Sequence, residues 1–143
     1  MRTISPTDLA ARLRLGITRT ARRLRQEAGG PLSPSQIAAL ATIERHGPLT
    51  PSELARHERV QRPTVTRVLA RLEAAGLSER AGDPSDRRSS LVTITEEGRA
   101  LLAAQRTRKD AYLARRLDAL DAADRTTLER AAELLERLLE DPE

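Results

Sequence analysis

One stretch, Gln61-Arg62-Pro63-Thr64-Val65-Thr66-Arg67-Val68-Leu69-Ala70-Arg71-Leu72, constrains this chain more than any other. Val65, Val68, Leu69 and Leu72 recur at i, i+3, i+4 and i+7. On a helix of about 3.6 residues per turn that spacing makes one apolar stripe, which must face a core. The opposite face is left to Thr64, Arg67 and Arg71, with Arg59 and Arg62 at the start of the helix. From Arg59 to Leu72 there are four arginines and no Asp or Glu. A solvated surface helix ordinarily mixes its signs to gain i,i+4 pairs, so the plain reading of a basic solvated face competes here with a helix made to lie on a polyanion.

The residues before it sharpen the choice. Thr50-Pro51-Ser52-Glu53 combines a hydroxyl N-cap, proline at the first helical position and glutamate at N3. These open a short helix that turns Leu54 and Ala55 inward and must end near Glu58 or Arg59. Two helices joined so tightly make a helix-turn-helix, whose second helix enters the DNA major groove by its N-terminal residues. Arg62, Thr64 and Arg67 are then placed for base edges, Arg71 for phosphate, and Thr66 joins the contacting set.

After Gly76 come Leu77-Ser78-Glu79-Arg80-Ala81, then Gly82-Asp83-Pro84-Ser85-Asp86-Arg87-Arg88-Ser89, then Ser90-Leu91-Val92-Thr93-Ile94. The middle piece is turn chemistry throughout and the last is rich in β-branched residues, which predicts a hairpin with Arg87 and Arg88 at its tip. A wing of this kind can lay an arginine in a narrow A·T-rich minor groove. Asp86 beside phosphate is unfavourable unless it orients an arginine, so a bracing role is assigned to it. An ordinary charged hairpin turn is the rival reading.

The order of these pieces resembles the multiple-antibiotic-resistance regulator (MarR) family over nearly the whole chain. Thr66-Arg67 in the second helix, Leu72-Glu73-Ala74-Ala75-Gly76-Leu77, Asp83-Pro84-Ser85-Asp86-Arg87-Arg88 and Leu91-Val92-Thr93-Ile94-Thr95-Glu96-Glu97-Gly98 carry the likeness. Its most specific part is the wing, where an Asp-x-Arg signature matches Asp86 and Arg88 and a Thr-x-x-Gly helix start matches Thr95 and Gly98. The resemblance implies that Arg88 is the minor-groove arginine and Asp86 its partner. The chain departs from the family at Gln61, where many relatives have a capping serine.

The rest reads as helix. Asp8 to Ala28 sets Leu9, Leu13, Ile17, Ala21 and Leu24 on one side. Ser33-Pro34-Ser35-Gln36 is a capping box before Ile37, Leu40 and Ile43, in a helix that stops before Gly47-Pro48. Thr95 opens a long helix toward Leu120 through Leu101, Leu102, Leu113 and Leu117. A last helix, about Ala122 to Glu140, carries Leu128, Ala131, Ala132, Leu135, Leu138 and Leu139 in helical period. The expected fold is mostly α: a single domain over 1–143 with a winged helix-turn-helix for DNA binding at 34–94, one small antiparallel hairpin, and long terminal helices at 5–28 and 95–140. Residues 34–94 already complete a winged-helix core, so the terminal stripes need another surface. The resemblance implies that they intertwine two subunits into a homodimer, with Leu9, Leu13, Ile17, Leu128, Leu135, Leu138 and Leu139 as its contacts; packing within one chain is the alternative.

Composition bounds the remaining function classes. The 25 Lys plus Arg against 21 Asp plus Glu leave a net charge of only +4, unevenly spread. From Asp118 onward there are nine acids and three bases, whereas Met1 to Gly30 holds seven bases and two acids. Lys109 is the only lysine; the other cations are arginine, which can fork onto guanine or phosphate. Cysteine is absent, which excludes disulfides, thiolate metal sites and the cysteine-based peroxide sensing of one family branch. No apolar run approaches about 18 residues and Asp8, Arg12 and Arg14 interrupt any signal peptide, so a cytoplasmic protein without membrane partner is expected.

Enzymatic chemistry finds no support: His46 and His57 stand eleven residues apart on separate helices, outside metal-ligand or base–nucleophile spacing, and no phosphate-binding glycine loop or cofactor motif occurs. The expected function is a dimeric, sequence-specific DNA-binding transcriptional regulator, a repressor on a pseudo-palindromic operator. The resemblance further implies release by a small aromatic or phenolic ligand bound between the dimerisation and winged-helix parts. With no Phe or Trp and only Tyr112, the walls of such a pocket are aliphatic and arginine, suited to an apolar anion. A ligand-independent regulator and a winged helix that binds protein rather than DNA are the rivals.

Overall fold

Among the described residues, five of the six helices start on a short polar side chain that accepts the N–H three residues on: Ser5, Ser33, Thr50, Thr95 and Asp121. Each satisfies one of the donors that a helix start leaves unpaired. The computed structural model describes residues 3–140; the ends of the single domain expected over 1–143 lie outside the described residues. In chain order the elements are α1 (Pro6–Ala28), α2 (Pro34–His46), α3 (Pro51–Glu58), α4 (Arg62–Ala74), β1 (Ser78–Asp83), β2 (Asp86–Ile94), α5 (Glu96–Asp118) and α6 (Ala122–Leu138). The fold is a mostly helical winged helix-turn-helix with one antiparallel hairpin. Helix α1 begins at Pro6 rather than Asp8, because Ser5 caps it and proline suits the first turn.

One apolar cluster seats the central elements. Leu40 and Ile43 of α2 meet Leu54 of α3, the α4 stripe of Val65, Leu69 and Leu72, Val92 of β2 and Leu102 of α5. Full burial of each such side chain stabilises by about 1.5–3 kcal/mol. Helix α1 buries only Ala28 and α6 buries nothing, so neither terminal helix supplies a member of that cluster. Helix α1 is instead tied to α5 by polar contacts. Arg108 Nε donates to the Ala28 carbonyl at 2.6 Å and Gln105 Nε2 to that of Gly29 at 3.2 Å, both at the acceptor-rich end of α1.

Two glycines join the central elements. Gly76 adopts φ 73°, which ends α4 and turns the chain into β1. Gly98 sits where a Cβ would lie 2.3 Å from the Leu77 carbonyl oxygen, so the first turn of α5 rests directly on backbone. Thr95 completes the joint: its hydroxyl donates to the Gly76 carbonyl at 2.6 Å and accepts from the Gly98 N–H at 3.1 Å.

The hairpin corrects the sequence expectation. Arg87 and Arg88 do not form the tip; the turn is Pro84-Ser85, closed by the Asp83 carboxylate, which accepts from the Ser85 N–H (2.9 Å) and hydroxyl (2.7 Å). Asp83 pairs with Asp86, and the next pair is Gly82 with Ser90, so β2 carries Arg87, Arg88 and Ser89 in a bulge opposite no residue of β1. Turn-forming composition spread over eight residues hid a strand, because an exposed ribbon needs no apolar alternation to pair its backbone. A second feature was not legible: Leu49 bridges to Val92 through two backbone hydrogen bonds of 3.2 and 2.7 Å and pins the base of the wing. One isolated residue leaves no period to read.

Candidate nucleic-acid interface

Three residues, Arg59, Val60 and Gln61, separate α3 from α4. The reversal is achieved by Arg59 in the left-handed conformation (φ 54°, ψ 45°), with the Val60 N–H returning to the Ala55 carbonyl at 3.1 Å. A non-glycine residue rarely takes that conformation. Helix α4 then starts without a side-chain cap, because Gln61 makes no capping hydrogen bond. Pro63 has no N–H to satisfy, and the Thr64 and Val65 N–H groups both return to the Gln61 carbonyl, at 3.1 and 3.3 Å.

Of the stripe anticipated on α4, Val65, Leu69 and Leu72 are buried and Val68 is half-buried, which turns the other flank outward. Arg67 and Arg71 are exposed there. Arg67 has only a long contact, 3.5 Å from its Nη2 to Thr64 Oγ1. The other anticipated contacts divide. Arg62 is exposed, but its Nη1 donates to Ser52 Oγ at 2.8 Å, joining the starts of α3 and α4. The Thr66 hydroxyl donates to the Arg62 carbonyl at 3.1 Å, inside the helix. Thr64 is half-buried beside Ala38 and Val68, in a cleft toward α2.

On the wing, Arg87 and Arg88 are exposed in the bulge. Asp86 contacts the bulge rather than an arginine side chain: one carboxylate oxygen accepts the Arg88 backbone N–H at 2.9 Å and the other the Ser89 hydroxyl at 3.4 Å. The Arg88 guanidinium is left out of that contact. Among the described residues no hydrogen bond or ion pair engages the guanidinium of Arg71, Arg87 or Arg88. Of the acids on this part of the chain, Glu73 pairs with Arg80, Asp83 accepts from Ser85 and Asp86 from the bulge, while Glu79 of β1 is exposed. Hydrogen bonds from the Ser85 hydroxyl and then its N–H hold the Asp83 carboxyl below the usual range. The surface shared by α4 and the wing therefore offers open cations and few open anions.

Sequence reasoning missed the Glu73–Arg80 pair, the Ser52 partner of Arg62 and the meeting of the two histidines. His46 and His57 are both exposed, yet their rings stack with centroids 4.2 Å apart and planes 18° from parallel. Two helix ends converge there, and only the packing of α2 on α3 could reveal it. Among the described residues no group of three His, Asp or Glu side chains is placed to hold a metal ion, and no helix is long and apolar enough to cross a membrane.

Two concavities lie away from this face. One, of about 480 Å³, opens between α1, α2 and α5 and is lined by Arg22, Arg25, Ile37, Gln105 and Lys109 among others. The other, of about 730 Å³, is an apolar cleft between α1, α5 and α6 lined by Leu13, Ile17, Leu113, Leu128 and Leu135. Leu9, Leu138 and Leu139 are exposed outside its lining.

The MarR family model matches residues 32–90, from just before α2 into the wing. An uncharacterised HTH-type transcriptional regulator of Mycobacterium bovis is 39% identical over 138 residues, 96% of each chain. A crystal structure of a Pseudomonas aeruginosa protein assigned as a transcriptional regulator superposes with a TM-score of 0.88 at 37% identity, over 99% of this chain and 100% of that one. The structure of Streptococcus pneumoniae FabT in complex with DNA has the same fold, with a TM-score of 0.67 at 21% identity over 92% of this chain and 94% of that one.

Proposed function

The chain belongs to the MarR family of transcriptional regulators, and on that premise we propose that it is a sequence-specific DNA-binding repressor acting as a homodimer on a pseudo-palindromic operator. One observation carries the reading: Arg67 and Arg71 of α4 and Arg87 and Arg88 of the wing are all exposed, and among the described residues none is paired with a carboxylate. In this reading residues 34–94 bind DNA. Arg67 meets base edges or the phosphates beside them, Arg71 meets phosphate, and Arg88 enters the flanking minor groove from a backbone shaped by Asp86. Arg62 and Thr66 contribute mainly by setting the start of α4, given their partners within the chain. That the FabT protein of the same fold forms a complex with DNA supports the DNA-binding reading.

Residues 5–28 and 95–140 serve dimerisation. An apolar cleft walled by Leu13, Ile17, Leu128 and Leu135 needs a cover, and a second copy brings a complementary one by symmetry. The smaller cavity near Arg22, Arg25 and Lys109 suits an aromatic or phenolic anion between the two parts, whose binding releases DNA to the extent that it prefers the DNA-free geometry.

Selection of bound sequences from random DNA, followed by a salt titration, tests the reading. The expected result is a pseudo-palindrome with half-sites about 34–36 Å apart, and a log K that falls linearly with log salt. Equal, weak binding to selected and random DNA would instead favour a protein-interaction module.

A further inference from the structure

The wing is anchored at its base and open along its length. At the base Leu77, Ser78, Val92 and Ile94 are buried and Leu49 bridges to Val92. From Glu79 to Arg88 no residue of the hairpin is buried. Over that length, among the described residues, a single side-chain hydrogen bond or ion pair joins the hairpin to α4: Arg80 Nε with Glu73 Oε1. Glu73 lies in the last turn of α4 and Arg80 is the third residue of β1, so the pair spans the Ala75-Gly76 joint. Both side chains are about one-third exposed, 35% for Arg80 and 32% for Glu73. An ion pair across a joint acts on an angle, and a small rotation there moves Arg88 relative to Arg67.

We propose that Glu73 and Arg80 are positioning residues that set the angle between the wing and α4, and with it the spacing between major-groove and minor-groove contacts. The proposal rests on the DNA-binding reading above. Its sign is diagnostic. Removing a carboxylate beside bound DNA should strengthen binding if charge alone matters. Loss of a positioning contact should weaken it.

The chain has no cysteine, so Ala70→Cys and Ser85→Cys provide unique spin-label sites on the outer face of α4 and at the wing turn. The expected result is a narrow interlabel distance distribution in the parent, a broad one in Glu73→Gln, and a narrow one again in the charge swap Glu73→Arg with Arg80→Glu. Operator affinity should fall about two- to fivefold in Glu73→Gln, the equivalent of one surface ion pair, with loss of preference for A·T flanks. The swap should recover that preference. An unchanged distance distribution in Glu73→Gln, or tighter operator binding by it, overturns the proposal. If the parent bound no DNA the functional reading would fall, while the distance measurement, made without DNA, would still judge the joint.

Discussion

Helices α4 and α6 carry the same kind of sequence signal and meet opposite fates. Both have leucines in helical period, yet on α4 Leu69 is 0% exposed while on α6 Leu128 is 45% and Leu138 71% exposed. Helix α4 is held between α2, α3 and the wing, so its stripe is covered within the chain. Helix α6 follows α5 after one turn and faces α1 and α5 across an open apolar cleft rather than a core. Periodicity identifies a face that must be covered; it does not say by what. Where cover comes from within the chain, the opposite flank is free to bind something else. Where it does not, the apolar face stays open, and that is the basis of the dimerisation proposed above.

The largest expected effect separates the two stripes directly. Leu69→Ala should destabilise by about 2–5 kcal/mol, because it opens a cavity in a packed cluster. Leu128→Ala should leave the folding of a single subunit nearly unchanged but weaken association, which lowers the melting temperature and makes it depend less on concentration. Calorimetry at several protein concentrations checks both, and a concentration-independent loss at Leu128 equal to that at Leu69 would erase the contrast.

Next is the joint between the regions. Gly98→Ala places a methyl against the Leu77 carbonyl and the Ile94 side chain, 2.3 and 2.7 Å from the new carbon. It should cost about 1–3 kcal/mol in denaturant unfolding, with DNA affinity falling as the wing shifts. Gly16→Ala on α1, which meets nothing within 4 Å inside the chain, is the control for folding of a single subunit and should be neutral or slightly stabilising there.

Charge sharpens the comparison further. Arg67→Ala on α4 should lose about 1–3 kcal/mol of operator binding and some discrimination between sequences. Arg130→Ala on α6, already paired with Glu133 at 2.7 Å, should change operator affinity little. Equal penalties at one fixed salt concentration would mean that net charge rather than position governs binding.

The smallest effect belongs to the wing turn. The Asp83 carboxyl titrates lower in the folded chain than in the unfolded one, so its stabilising contribution is complete above the unfolded value. It declines as pH falls below that value and is lost once the folded carboxyl protonates. Asp83→Asn should therefore differ from the parent in melting temperature at neutral pH, and the difference should shrink in acid. A difference independent of pH would show that the turn does not use the ionised carboxylate.

Much of this molecule was legible in its residues because the relevant physics is local. Ser33, Thr50 and Thr95 announced their helices through capping geometry that acts within one turn, and Val65, Leu69 and Leu72 announced a buried face through spacing alone. The exposed positions of Arg67 and Arg71 followed from that stripe. What escaped was whatever depends on partners distant in sequence or on backbone pairing without a side-chain pattern. Asp83 to Ser89 read as turn, because a bulged and exposed strand leaves no alternation, and Asp86 proved to hold the Arg88 N–H rather than its guanidinium. The contacts of Leu49 with Val92, Arg80 with Glu73 and His46 with His57 join elements whose approach no local rule specifies. Sequence by itself determined which residues form helices and which faces are apolar, since propensity, capping and period act over a few residues. Only the tertiary structure decided which of those faces is covered within the chain and which cations remain open, because burial and pairing depend on what the rest of the chain brings alongside.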